Sequence, residues 1–234
     1  MDSIKLVMLP GLDGTGVLFR PLLKALPANI EPIVVDYPAD KPLGYEDLLP
    51  IVLSALPRKS PFILLGESFG GPLSLRVAAT HPAGLCGLIL CATFISCPQR
   101  FVPTWAAPLV HPFPFRAIPQ VAQIKALLGG YGSPYVFSLS REAMSLVSPQ
   151  VLAHRIREVI KINVTAELAA CELPILYLQG KHDFVVPSAN FKRILRIKST
   201  VQRIQFASPH MLLQTQPEAA AEAIGRFVTH NAGV

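Results

Sequence analysis

Gly66-Glu67-Ser68-Phe69-Gly70 sets a serine between two glycines, directly after the apolar run Phe62 to Leu65 and just before a helix-like stretch from Leu73 to Thr80. An order of strand, tight turn and helix can make a serine reactive. The turn lifts the hydroxyl clear of the sheet, and glycines on both sides let neighbouring backbone approach without a Cβ clash. A lone hydroxyl is a poor nucleophile near neutral pH, so it needs a base within hydrogen-bond reach and a third group to orient that base.

Six histidines compete for the role of base. His81 falls at a predicted helix end, where a dipole contact or simple exposure explains it, and His111 among prolines and His154 and His230 in helical stretches lie far from predicted strand ends. His182 follows an apolar run but directly precedes an aspartate and points elsewhere if that aspartate faces the site. His210, in Ala207-Ser208-Pro209-His210-Met211, follows the last apolar run and is the candidate base. The orienting carboxylate must be nearly buried and accept from the other imidazole nitrogen. Asp183, in Gly180-Lys181-His182-Asp183-Phe184-Val185-Val186-Pro187, suits that role and gives the chain order Ser, Asp, His. Asp36 also follows an apolar run, but it precedes the serine and reads as a turn or helix-capping residue.

Acyl chemistry at Ser68 develops negative charge on the former carbonyl oxygen, which calls for two fixed donors. The backbone amide of Phe69 is one candidate. The second comes from Leu9-Pro10-Gly11-Leu12-Asp13-Gly14-Thr15-Gly16, with the amide of Leu12 as the best choice. Asp13 either shapes this loop or contacts substrate. The loop is glycine-rich and follows an apolar run, yet it matches neither of the phosphate-binding patterns G-x-x-x-x-G-K-[ST] and G-x-G-x-x-G, which argues against nucleotide binding.

The elements that must position these residues are short apolar runs separated by helix-length spacers: Ile4 to Leu9, Ile33 to Val35, Phe62 to Leu65, Leu88 to Cys91, Ile175 to Leu178 and Arg203 to Phe206. This alternation predicts a mostly parallel α/β sheet with crossover helices over Tyr45 to Leu56, Leu73 to Thr80 and Glu218 to Thr229. Open α/β sheets hold ligands outside the carboxyl ends of their strands, where Pro10 to Gly14, Ser68, His182-Asp183 and His210 all fall. Between about 97 and 163 the pattern changes. Six prolines run from Pro98 to Pro119, followed by helical periodicity in Val121 to Leu128 and Val151 to Ile162. This stretch reads as an inserted cap within a single domain spanning 1–234. Phe101, Trp105, Phe113, Phe115 and Tyr131 either line a hydrophobic cleft or pack the insert onto the body.

At 234 residues, 51% apolar and 15% charged, the chain can bury a sizeable core. No apolar run reaches spanning length, the start lacks a secretory pattern, and Cys86, Cys91, Cys97 and Cys171 have neither C-x-x-C nor His-partnered spacing. These features predict reduced, structural thiols, a cytoplasmic protein and no stable membrane insertion. The +6 charge is scattered singly, which points to a solvated basic surface rather than a nucleic-acid site.

Taken together, Pro10-Gly11-Leu12-Asp13-Gly14, Gly66-Glu67-Ser68-Phe69-Gly70-Gly71, Gly180-x-x-Asp183-x-x-x-Pro187 and Pro209-His210 resemble the α/β-hydrolase superfamily over almost the whole chain. The resemblance implies an eight-stranded, mostly parallel sheet with a variable cap, and carries nucleophile, acid and base to Ser68, Asp183 and His210. Pro10-Gly11 departs from the superfamily's frequent His-Gly. The L-P-G-x-D-G-T-G pattern is similar to that of small bacterial esterases and of the plant phytyl-ester and lipase-like group, which implies acyl-ester substrates. The expected activity is carboxylic-ester hydrolysis through an acyl-enzyme, without cofactor or metal. A thioesterase, C–C bond hydrolase, perhydrolase or acyltransferase would use the same three residues, and a retired hydrolase fold would instead bind a ligand without turning it over.

Overall fold

The computed structural model describes residues 3–58 and 60–231. Among them, six strands form one sheet: β1 (Ile4–Leu9), β2 (Ile30–Val34), β3 (Phe62–Glu67), β4 (Leu85–Cys91), β5 (Ile175–Gly180) and β6 (Gln202–Phe206). Their order is β2-β1-β3-β4-β5-β6, and every neighbouring pair is parallel. Each of the six apolar runs in the sequence falls on a strand, although Ile33 to Val35 covers only the end of β2 and runs one residue past it. The sheet has two strands fewer than the resemblance implies.

The helices are α1 (Arg20–Ala25), α2 (Tyr45–Ala55), α3 (Gly70–Ala79), α4 (Phe113–Ala117), α5 (Gln120–Leu128), α6 (Pro134–Leu146), α7 (Pro149–Lys161), α8 (Thr165–Ala170), α9 (Ala189–Ile197), α10 (Leu212–Thr215) and α11 (Pro217–Asn231). Strand alternation divides the core between the two sheet faces. Phe62 and Leu64 of β3 join Val7, Leu88 and Tyr177 under α2, α3 and α9, whereas Ile63 and Leu65 join Leu6, Met8 and Ile89 under α1 and α11. A parallel sheet covered on both faces has this continuous apolar burial in its central strands.

All the chain between β4 and β5 is helical or irregular. Ser96 and Asn163 form an antiparallel bridge where this insertion leaves and rejoins the body, and the Val164 amide donates to the Ile95 carbonyl at 2.8 Å. Two of its helices open with the same Ser-Pro pair. Ser133 and Ser148 accept from the Val136 and Val151 amides, each at 3.2 Å, and a proline occupies the next position, where no N–H is needed. Periodicity alone predicts α5 and α7 but not α6, whose start is marked by that Ser-Pro pair.

Leu64, fully buried on the central strand, anchors one face of this core. Leu64→Ala is expected to lower unfolding stability by about 2–5 kcal/mol, read as a shift of the urea midpoint at unchanged slope.

Candidate active site

Ser68 sits on the turn between β3 and α3 with φ of +49°, a left-handed conformation that costs a non-glycine residue energy and recurs at functional turns. The turn is tight enough that a Cβ on Gly66 would come 2.5 Å from the Gly70 carbonyl oxygen, backbone that cannot swing aside. Its conformation is pinned from both sides. The Ser68 amide donates to Cys91 at 2.9 Å, the Thr93 hydroxyl donates to the Ser68 carbonyl, and the buried Tyr177 hydroxyl donates to the Thr93 carbonyl at 2.6 Å.

The loops after β5 and β6 bring the other two residues to it. His210 Nε2 lies 3.0 Å from Ser68 Oγ, and His210 Nδ1 lies 2.8 Å from Asp183 Oδ2. With Nδ1 donating to the carboxylate, Nε2 is left free to accept the serine proton. The second oxygen, Asp183 Oδ1, accepts from the Val185 and Val186 amides at 2.9 and 2.8 Å, so the carboxylate is anchored and its side chain almost wholly buried. Burial works against protonation of His210, but the charge and hydrogen bond of Asp183, with Glu67 adding to them, outweigh it and hold the imidazole above its ordinary value.

None of the other histidines comes to Ser68. His182 stacks on Tyr131 at 5.4 Å between ring centres, His111 Nδ1 accepts from the Phe113 amide, and His81 and His230 are exposed. The Asp36 carboxylate makes no hydrogen bond to a turn or helix amide among the described residues, contrary to its capping role; it abuts the Gly16 backbone instead. Asp13 shapes its loop, with Oδ2 accepting from the Thr15 amide at 3.0 Å and the Thr15 hydroxyl at 2.6 Å.

The Leu12 and Phe69 amides have no hydrogen-bond acceptor among the described residues. The loop carrying Leu12 runs beside the serine, since a Cβ on Gly11 would lie 3.8 Å from Ser68 Cβ. What holds this loop is a residue that motif reading passes over. Arg155 of α7 is fully buried and donates from Nη1 to the Leu12 and Asp13 carbonyls, each at 2.8 Å, and from Nη2 to the Pro38 carbonyl at 2.9 Å. With those carbonyls drawn toward α7, the loop's geometry is set by a charged donor. Gly14, at φ of +72°, is required here because a Cβ would meet Arg155 Nη1 at 2.5 Å. The available signal was an arginine four residues after Val151 on the buried stripe of α7.

Glu67 and Gln214 are the other residues missed. Glu67 is buried beside Ser68, and its Oε1 accepts from Gln214 Nε2 at 3.0 Å. Burial pushes its carboxyl up to about 7 despite that hydrogen bond, and the nearby Asp13 charge adds to the rise.

Ser68 and His210 open into a cavity of about 350 Å³ whose wall is mostly apolar, with Leu18, Phe94, Phe115, Leu152, Ile156 and Val159 among its lining. Of the five insertion aromatics singled out in the sequence, only Phe115 lines it. Phe101, Trp105 and Phe113 are exposed, so they neither build the cleft nor pack the insert down, whereas Tyr131, also outside the cavity lining, stacks on His182 of the body.

Arg155→Met should leave three carbonyls without their charged donor and lower stability by on the order of 3 kcal/mol, with Arg155→Lys recovering part of it; paired urea titrations measure both.

The fold matches solved structures over nearly its full length. An esterase from Thermogutta terrifontis superposes with a TM-score of 0.82 at 19% identity over 98% of this chain and 90% of that one. The enol-lactonase from Burkholderia xenovorans gives 0.81 at 16% identity over 98% and 92%. A lipase-esterase related protein from Clostridium acetobutylicum gives 0.79 at 15% over 97% and 95%. At these identities the likeness establishes the α/β-hydrolase fold. By sequence, the chain is 24% identical to polyketide synthase ThaQ of Burkholderia thailandensis over 247 residues, which are 96% of this chain and 12% of that protein. It is 37% identical to chloroplastic phytyl ester synthase 1 of Arabidopsis thaliana over 86 residues, 34% of this chain and 12% of that protein. The aligned region thus covers only a small part of either curated relative. The family model described as serine aminopeptidase, S33, matches residues 46–211, from the start of α2 to just past His210, and the chain belongs to that family of serine hydrolases.

Proposed function

We propose that this chain is a carboxylic-ester hydrolase acting on acyl esters of small molecules, with Ser68 as nucleophile, His210 as general base and acid, and Asp183 as the residue that orients and charges His210. The observation that carries this reading is the unbroken relay from Asp183 Oδ2 through both nitrogens of His210 to Ser68 Oγ, at 2.8 and 3.0 Å, at the edge of an apolar cavity. Ser68 Oγ attacks the acyl carbon as its proton passes to His210 Nε2. The oxyanion forms against the Leu12 and Phe69 amides, which no other acceptor occupies. Collapse expels the alcohol with the proton from His210, leaving an acyl-enzyme. Water, deprotonated by His210, then releases the acid and restores Ser68.

In this reading residues 97–163 are a cap on a single α/β-hydrolase domain, and their apolar side chains hold the acyl group. No cofactor enters the scheme. Four unpaired cysteines fit a reducing, cytoplasmic setting. A second reading, acyl transfer, is favoured by the 37% identity to phytyl ester synthase 1 over 86 residues: an alcohol in place of water would convert the same acyl-enzyme into a new ester. Product analysis with a fatty alcohol present separates the two, since hydrolysis yields acid and transfer yields ester.

Hydrolysis of p-nitrophenyl esters from acetate to palmitate is expected for the wild type. Ser68→Ala, folded by circular dichroism, is expected to lose on the order of 10⁵-fold or more in kcat. Full activity in that variant would overturn the mechanism. The pH profile supplies a second test. His210 must be neutral to accept the proton, and its raised pKa means activity falls, as pH drops, at a point above the ordinary imidazole value. Because Glu67 contributes to that rise, Glu67→Gln should move the acid limb of kcat/KM to lower pH; an unmoved or raised limb would contradict the assignment.

A further inference from the structure

Phe101, Trp105, Leu109 and Phe113 are 96%, 73%, 72% and 66% exposed. Large apolar side chains left bare in such number within one short stretch are uncommon on a protein that meets only water, and they mark a surface with a partner. Ile118 and Val121 carry the exposed set on into α5.

Charge identifies the kind of partner. From Ser68 to Arg141 the sequence contains no aspartate or glutamate. Arg100, Arg116 and Lys125 are interleaved with the exposed apolar residues and are themselves exposed. None of the three pairs with a carboxylate among the described residues. Aromatic side chains bare to solvent, flanked by unpaired cations with no acid in the same stretch of chain, match the two layers of an anionic lipid surface: headgroup phosphates outside, acyl chains beneath. The face is also continuous with the cavity. α4 and α5 carry Phe115, Gln123 and Leu127 into the cavity lining while Phe113 and Val121 on the same helices remain exposed.

We propose that this face of the insertion docks the protein peripherally on an anionic lipid surface, with Phe101, Trp105, Leu109 and Phe113 entering the interfacial layer and Arg100, Arg116 and Lys125 meeting the phosphates. No helix among the described residues is long and apolar enough to cross a membrane, so the attachment is to one leaflet. An apolar ester dissolved in that leaflet would then reach the cavity along α4 and α5 without crossing bulk water. Binding itself does not depend on the hydrolytic reading, because it is measured without turnover.

Trp105 is the single tryptophan of the chain, so its emission reports on this face alone. The experiment mixes the protein with vesicles of phosphatidylglycerol and phosphatidylcholine, and separately with phosphatidylcholine vesicles, and follows Trp105 emission together with cosedimentation. The expected result is a blue shift and cosedimentation with the anionic vesicles, weakened roughly tenfold or more on neutral vesicles or in about 0.5 M salt. The triple variant Phe101→Ser, Leu109→Ser, Phe113→Ser should lose vesicle binding while hydrolysing a water-soluble ester at the wild-type rate. Wild-type protein that stays in the supernatant with unshifted emission overturns the proposal, as does a triple variant that binds like the wild type. A Trp105 shift produced by a soluble acidic protein but by neither vesicle would assign the face to a protein partner and equally overturn it.

Discussion

How closely the backbone can pass itself at the end of β3 is the constraint on which the site depends. A side chain on Gly66 would drive into the Gly70 carbonyl, and without that close passage α3 could not start where it does. The turn would open, Ser68 would leave its left-handed conformation, and its hydroxyl would no longer meet His210 at 3.0 Å. Thr93, just past β4, and Tyr177, within β5, brace the same turn, so neighbouring strands share the strain of one residue.

The parallel sheet does the rest by geometry. Strands β1, β3, β5 and β6 all end on the same edge, so the loops after them converge although their residues lie far apart in the chain. Leu12, Ser68, Asp183 and His210 each arrive from a different strand end. Such a site tolerates sequence change in helices and loops elsewhere, provided the strand ends keep their register. This accounts for full-length structural likeness to esterases and lactonases at 15–19% identity.

Much of this was legible in the sequence because reactive groups are few and their placement after apolar runs is informative. Ser68, Asp183 and His210 each lie within four residues of a strand's carboxyl end, and the sheet is readable from six short, mostly apolar runs. The insertion was harder. Its prolines and aromatic residues signal irregular structure, but the direction in which Phe115 points is settled by packing against Leu152 of α7, which no local pattern encodes. Arg155 is not legible in the sequence because its partners are backbone carbonyls at positions 12, 13 and 38, and main-chain acceptors leave no trace in residue types. The count of strands implied by the resemblance is too high for the same reason that resemblance is useful: it transfers the average member, and the described residues form six.

The anchorage of Arg155 also decides which parts of the insertion are free to act as a gate. α7 cannot swing outward without extracting a guanidinium from three carbonyls and releasing the loop that carries Leu12. Any hinge motion of that helix would therefore displace the loop that runs beside Ser68. The segment from Thr104 to Leu128 has no such tie to the β1 loop. A movement of that segment, unlike one of α7, would leave the hydrogen bonds of the Leu12 loop in place.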